Sequence, residues 1–119
     1  MSLTHLPGYY REERPWGGFE RIVENQKATV KILCLDPLKR FSLQTHSKRE
    51  EFWRVIEGTG TLEVDGTTIE AVVGTEARIP VGAVHRATGG PQGMKILEVT
   101  TGEHDENDIE RIEDDFGRK

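Results

Sequence analysis

The feature that most constrains this chain is a succession of short runs rich in β-branched and aromatic residues, separated by glycine, proline or aspartate. Helical periodicity is not sustained before the last fifteen residues, so the pattern predicts an all-β protein. Many short strands at this spacing are typical of a sandwich or a barrel. We expect strands at residues 19–24, 28–35, 41–46, 51–57, 60–64, 67–72, 76–79, 85–88 and 94–100.

Two local signals predict particular elements. Asp65-Gly66 lies between two alternating segments and supplies the positive φ angles of a two-residue turn, so residues 61–70 are predicted to form a β-hairpin. Residues 105–112 carry acidic side chains first and an arginine later, which is the order that suits a helix dipole. We therefore expect a short C-terminal helix.

The chain has 119 residues, the length of one ordinary domain, and its sequence contains neither an internal repeat nor a linker. We expect a single domain over residues 1–119. Its core should lie at about residues 19–101, with an N-terminal arm at 1–18 and a C-terminal tail at 102–119.

Charge and cysteine content limit the partners and the compartment. The formal net charge is −5 with an acidic excess at residues 103–115, which disfavours a nucleic-acid partner. No apolar stretch approaches the roughly 20 residues of a membrane span, so we expect no membrane partner. The single cysteine, Cys34, lies in an apolar run and is expected to be buried and reduced. These features favour a cytoplasmic protein.

Four side chains with metal-ligating chemistry come from three separate segments. Gln44 and His46 stand two residues apart on one predicted strand and therefore point to the same face. Glu51 opens the next strand, and His85 follows a turn that contains proline and glycine at residues 80–82. One amide oxygen, two imidazoles and one carboxylate suit a borderline divalent cation and leave positions open for substrate. The sequence predicts one divalent ion on these four residues, with Zn, Mn, Fe, Co and Ni as the alternatives.

The same segments resemble the two motifs of the cupin superfamily. Residues 44–58 have two ligands two positions apart, then a glutamate and a closing glycine, and residues 74–85 resemble the second motif. Glutamine in place of the usual first histidine is the form found in phosphomannose isomerases. A longer resemblance, to the type II mannose-6-phosphate isomerase domain, is carried by RPWG (14–17), LQTH (43–46), REEFW (49–53), IPVGAVHR (79–86) and EDDFGR (113–118).

This resemblance implies a cupin barrel, usually a homodimer, that interconverts mannose 6-phosphate and fructose 6-phosphate, or a close phosphosugar. The enediolate formed in such a reaction needs nearby positive charge, which a metal ion supplies. Arg49 belongs to the part of the motif regarded as catalytic, and Glu98, in the last core strand, is a second catalytic candidate. The candidates for binding the substrate phosphate are Lys48, Arg14, Arg86 and Arg118.

Two departures from the family leave alternatives open. The domain commonly follows a mannose-1-phosphate guanylyltransferase, and these 119 residues contain no such nucleotide-binding half, so guanylyl transfer is not expected. Ser47 and Lys48 stand where many fused enzymes carry histidines. The alternatives are a non-catalytic sugar-binding or regulatory metal cupin, or another cupin enzyme such as an epimerase or a dioxygenase. Gln44 argues against the dioxygenase, because iron oxygenases favour two histidines and one carboxylate.

Overall fold

The structure is a computed structural model that describes residues 4–119, and every regular element in that range is a β-strand. The strands are β1 (Tyr10–Arg14), β2 (Gly17–Arg21), β3 (Ala28–Leu35), β4 (Leu43–Thr45), β5 (Arg49–Val64), β6 (Thr67–Ala71), β7 (Glu76–Ile79), β8 (His85–Gly102) and β9 (Glu110–Glu113). Within these residues there is no helix with the length and apolar character needed to cross a membrane. The all-β prediction is confirmed.

The strands pair antiparallel in two sheets. β1 and β2 form a hairpin of their own, and the other strands form a seven-stranded sheet with β5 and β8 at its centre. Strand β8 also pairs with β3 and β4, while β9 pairs with the other edge of β4. This pairing gathers chain segments that are far apart in sequence around one interior.

Strands β5 and β8 are longer than the sequence predicts. Each covers two predicted strands, since residues 51–57 and 60–64 join in β5, and residues 85–88 and 94–100 join in β8. The β5–β8 register shifts twice, on either side of Gly58, and such bulges bend a strand without ending it. The glycines and proline at these positions indicated turns, but they serve as bends within continuous strands. The hairpin turn at Asp65-Gly66 is confirmed, with positive φ at both residues.

The apolar core fills the interior that the strands of the seven-stranded sheet surround. Trp53, Leu62, Ile79, Met94 and Ile96 are each at most 2% exposed. A second, smaller cluster covers the opposite face of β5, because successive side chains of a strand alternate sides. The interior also contains polar and charged side chains with at most 5% exposure: Ser42, His46, Arg49, Glu51, His85, Arg86, Glu98 and Thr100.

Two sequence predictions are wrong, both because pairing and strand alternation override local signals. The segment predicted as a C-terminal helix ends inside strand β9, in which Arg111 lies opposite Gln44 of β4. Pairing with an otherwise open strand edge outweighs the weak helical preference of a charged segment. Cys34 is exposed rather than buried, since β3 turns only alternate residues inward and leaves Val30 and Ile32 61% and 55% exposed on its outer face.

Gly58, which closes the first sequence motif, is predicted to tolerate no side chain. Its φ is +76°, and a Cβ at this position would lie 2.2 Å from the carbonyl oxygen of Gly93. Gly74 has a similar φ of +94° but open space around the corresponding Cβ position. We expect Gly74→Ala to cost about 1–2 kcal/mol from backbone strain alone. Gly58→Ala should cost more, because it also forces β5 away from β8.

Chemical denaturation of the two variants measures this difference in the free energy of unfolding. Equal losses for Gly58→Ala and Gly74→Ala would contradict a role for close contact between β5 and β8 at this position.

Candidate metal centre

Three of the four predicted ligands lie together in the interior. His46, Glu51 and His85 are each at most 4% exposed, and one ligand atom from each lies within 4.8 Å of the others. His85 Nε2 is 3.2 Å from Glu51 Oε1, and His46 Nε2 is 3.9 Å from the same oxygen. His46 follows β4, Glu51 lies in β5 and His85 begins β8, so the strand pairing brings the three side chains together.

Backbone carbonyls orient both imidazole rings. His46 Nδ1–H donates to the carbonyl oxygen of Asp108 at 2.6 Å, and His85 Nδ1–H donates to that of Ala83 at 2.9 Å. Each ring therefore carries its proton on Nδ1 and leaves the lone pair of Nε2 on the side of Glu51. Burial is the main cause that lowers the pKa of His46 and favours its neutral form. Histidines that bind metals are commonly oriented by a carbonyl in this way.

The buried acceptors of this cluster fit a cation. Among the described residues, neither oxygen of Glu51 nor Nε2 of His85 has a hydrogen-bond partner, although all three atoms are buried. A buried polar atom without a partner costs about 1–3 kcal/mol. A divalent ion held by His46, Glu51 and His85 would give these acceptors a partner, and two imidazoles with one carboxylate suit the ions from manganese to zinc. The residues present are thus compatible with the predicted metal.

Gln44, the fourth predicted ligand, lies next to the cluster but turns its amide nitrogen toward it. Nε2–H donates to His46 Nε2 at 3.2 Å, while Oε1 accepts from the hydroxyl of Ser42 at 2.5 Å. A half-turn of the amide would direct its oxygen toward the cluster instead. Direct ligation by Gln44 therefore requires this rotation and stays a prediction.

Arg49 places a buried guanidinium beside the cluster. Its Nη2 lies 3.0 Å from His46 Nε2 and 3.5 Å from Glu51 Oε2, and its Nη1 lies 3.2 Å from His104 Nδ1. The side chain is only 5% exposed. Fixed donors of this kind can stabilise negative charge that develops on a bound molecule.

Glu98 provides a second buried carboxyl on the interior face of β8. Its Oε2 accepts a hydrogen bond from Trp53 Nε1–H at 3.1 Å, and its Oε1 lies 3.8 Å from the ammonium of Lys31. Burial, and next the negative charge of Glu51, raise the pKa of Glu98 to about 8. The two predicted catalytic residues, Arg49 and Glu98, thus flank the same cluster.

A cavity of about 320 Å³ opens beside these side chains. It is lined by Lys31, Leu33, Phe41, Gln44, His46, Arg49, Glu98, Glu106, Ile109, Arg111 and Arg118. Its volume is at the lower end of the range for small-ligand pockets, about 300–1,000 Å³. The basic side chains in the lining favour an anionic ligand.

Residues 5–114 match the model of the family described as mannose-6-phosphate isomerase C-terminal. The chain belongs to this family. It is 37% identical over 107 residues to alginate biosynthesis protein AlgA of Pseudomonas aeruginosa, and 34% identical over 107 residues to a mannose-1-phosphate guanylyltransferase of Klebsiella pneumoniae. Each match covers 88% of this chain but only 22% and 23% of the respective relative. The chain therefore spans less than a quarter of the length of these relatives.

Solved structures share the fold of this mannose-6-phosphate isomerase C-terminal domain at lower identity. The capsular polysaccharide assembling protein CapF of Staphylococcus aureus matches with a TM-score of 0.63 and 21% identity, over 88% of this chain and 32% of CapF. KdgF of Halomonas sp. matches with a TM-score of 0.62 and 13% identity, over 86% of each chain. These likenesses concern the fold alone, and the predicted cupin fold is confirmed.

The predicted phosphate-binding residues of this family domain lie in different places. Arg118 lines the cavity, and its guanidinium pairs with Asp114 at 2.8 Å. Arg86 is buried outside the cavity lining and donates to a backbone carbonyl. Arg14 lies in the β1–β2 hairpin, and Lys48 lies in the exposed loop after β4. A role in binding phosphate stays a prediction for all four.

Sequence reasoning missed Asp108, which fixes the loop after His46. Its carboxylate accepts hydrogen bonds from the amide and hydroxyl of Ser47, at 3.0 and 2.7 Å, and from the amide of Lys48 at 2.9 Å. The amide of Ser47 is the main cause that lowers the pKa of Asp108 to about 2, followed by the hydroxyl of Ser47. The charged carboxylate therefore contributes stability above its unfolded pKa of about 3.9, and this contribution is lost as the pH falls toward 2.

We expect Asp108→Ala to weaken the binding of a divalent metal about 10- to 100-fold, the range typical of groups that orient metal ligands. The reason is that the loop carrying His46 loses its carboxylate anchor. Isothermal titration with Zn²⁺ measures the affinity, and Glu103→Ala, an exposed acid of the same segment, is the control. The stability difference between wild type and Asp108→Ala should shrink as the pH falls below about 4. An unchanged metal affinity would argue against this orienting role.

Proposed function

We propose that this domain is a metal-dependent isomerase that interconverts mannose 6-phosphate and fructose 6-phosphate, or a close phosphosugar. The observation that carries the proposal is the buried cluster of His46, Glu51 and His85, with Arg49 3.0 Å from His46 and a cavity opening beside it. The family to which the chain belongs and the relatives that it matches support mannose phosphates as the substrate class.

In this reaction the open-chain aldose loses a proton from C2, and the electron pair forms the C1–C2 double bond of an enediolate. A proton is then added to C1 while the hydroxyl proton of O2 passes to O1, so that C2 becomes the ketone. The sugar is neither oxidised nor reduced overall, and no further reactant is needed. A divalent ion held by His46, Glu51 and His85 would supply Lewis-acid stabilisation of the negative charge.

Arg49 and Glu98 would perform the remaining chemistry. The guanidinium of Arg49 donates hydrogen bonds to the negatively charged oxygen, as its buried position beside the cluster supports. Glu98 lines the cavity, and its Oε1 has no hydrogen-bond partner among the described residues, so it can face a bound sugar. A positioned carboxyl that transfers protons contributes about 10²–10⁴-fold to the rate.

The test is the formation of fructose 6-phosphate from mannose 6-phosphate by the purified protein. We expect turnover that a chelator removes and that at least one of Mn²⁺, Fe²⁺, Co²⁺, Ni²⁺ and Zn²⁺ restores. No conversion with any of these ions would contradict the isomerase proposal. Tight binding of mannose 6-phosphate without conversion would instead favour the non-catalytic sugar-binding alternative.

We further propose that residues 1–119 fold as a single domain and that the protein acts in the cytoplasm as a homodimer. The exposed Val30 and Ile32 on the outer face of β3 support an interface between two copies. Light scattering coupled to size-exclusion chromatography should give twice the mass of one chain, and the mass of a monomer would contradict the dimer.

A further inference from the structure

Arg111 differs from every other arginine of this acidic protein. The chain contains ten arginines, all within the described residues, and nine of them lie within 4.0 Å of a carboxylate oxygen. The side chain of Arg111 has neither an ion pair nor a hydrogen bond with any residue of the described chain, and its Nε is buried. In a protein with a net charge of −5, a single arginine without an acidic partner requires an explanation.

The position of Arg111 directs this unpaired charge toward the candidate site. Arg111 lies in β9 opposite Gln44 of β4, and both side chains line the cavity that also contains His46 and Arg49. Because a guanidinium stays protonated in proteins, its charge is permanent. A half-buried guanidinium with an unsatisfied donor therefore offers this cavity a preformed anion site.

The other basic side chains of the cavity are already neutralised. Lys31 contacts Glu106 at 3.0 Å, Arg49 contacts Glu51 at 3.5 Å and Arg118 contacts Asp114 at 2.8 Å. A phosphate would have to compete with these carboxylates for Lys31 and Arg118, while Arg49 lies against the cluster, where the proposed function already uses it. Arg111 alone in the lining provides a cation without an acidic partner in the described chain. Guanidinium groups bind phosphate through two parallel hydrogen bonds, which a lysine cannot reproduce.

We propose that Arg111 binds the phosphoryl group of the sugar ligand and sets the preference for phosphorylated over neutral sugars. The sugar part of this inference rests on the proposed function, while the phosphate part does not. This adds Arg111 to the residues that the sequence suggested for this role, Lys48, Arg14, Arg86 and Arg118.

Isothermal titration of the full chain with mannose 6-phosphate, mannose and inorganic phosphate tests this assignment. We expect Arg111→Gln to weaken the binding of mannose 6-phosphate and of phosphate about 10- to 100-fold, as expected for the loss of charged hydrogen bonds, and to leave mannose unaffected. Arg111→Lys keeps the charge but lacks the two parallel N–H donors of a guanidinium. Its affinity for mannose 6-phosphate should lie between those of wild type and Arg111→Gln. Arg40→Gln, which removes an arginine that is paired with Asp115 and lies outside the cavity lining, is the control and should change the affinity less than about threefold.

The outcomes separate this inference from the proposed function. Phosphate binding that depends on Arg111 in a protein without isomerase turnover would support the inference and contradict the proposed function. Equal binding of mannose 6-phosphate by wild type and Arg111→Gln would overturn the inference about Arg111. An equal loss of affinity for mannose and mannose 6-phosphate in Arg111→Gln would do the same. The inference would also be overturned if wild type bound neither mannose 6-phosphate nor phosphate. Unchanged Zn²⁺ affinity in both Arg111 variants shows that they remain folded around the cluster.

Discussion

Replacing His85 with alanine should abolish metal binding and reduce the proposed isomerase turnover about 10³-fold. His85 Nε2 faces Glu51 Oε1 at 3.2 Å, and without the imidazole the cluster retains only one nitrogen ligand. Metal ions stabilise charge in the transition state by several kcal/mol, and each 1.4 kcal/mol or so corresponds to a factor of about ten in rate.

Thermal unfolding measures the loss of metal directly. An ion that binds only the folded protein adds about 2.7 kcal/mol of stability at 100 times its Kd, so wild type should melt several degrees higher when the ion is present. His85→Ala should show no such increase. His5→Ala is the control, since His5 lies outside this cluster beside Glu76. A full increase in Tm for His85→Ala would contradict its assignment as a ligand.

Substituting lysine for Arg49 should lower turnover about 10²–10³-fold, the effect typical of removing one preorganised donor to a developing oxyanion. Lysine keeps the positive charge but cannot contact His46, Glu51 and His104 at once, as the planar guanidinium does. The metal affinity should stay within a few-fold of wild type, because the three ligands remain.

Measuring both kcat and the metal affinity of Arg49→Lys separates a catalytic role of Arg49 from a structural one. Arg40→Lys, outside the cavity lining and paired with Asp115, serves as the control and should retain most of its turnover. Unchanged kcat in Arg49→Lys, or a loss of turnover that only follows a loss of metal, would contradict the catalytic assignment.

Features encoded in short segments were predictable from the sequence. Alternation and turn residues identified β3 and β7 with their observed bounds, and the Asp65-Gly66 turn marked the β5–β6 hairpin. The spacing of His46 and Glu51 indicated two candidate ligands near each other, and the turn before His85 suggested a third segment. These signals are local because side-chain alternation and turn geometry act over a few residues.

Features that depend on long-range pairing were not predictable. Asp108 contacts His46 across 62 residues, and only the pairing of β9 with β4 brings Arg111 into the cavity. Neither residue stands in a pattern that indicates this contact, and the acidic segment around them suggested a helix. The amide orientation of Gln44 is likewise determined by Ser42 and His46 in the folded protein.

A crystal structure of the protein grown with Co²⁺ or Zn²⁺, with anomalous scattering recorded at the metal edge, tests whether His46, Glu51 and His85 bind one metal ion. We expect one strong anomalous peak bounded by Nε2 of His46, an oxygen of Glu51 and Nε2 of His85. Absence of a peak there, or a peak only at the other histidine–glutamate cluster of His5, Glu20 and Glu76, would contradict it.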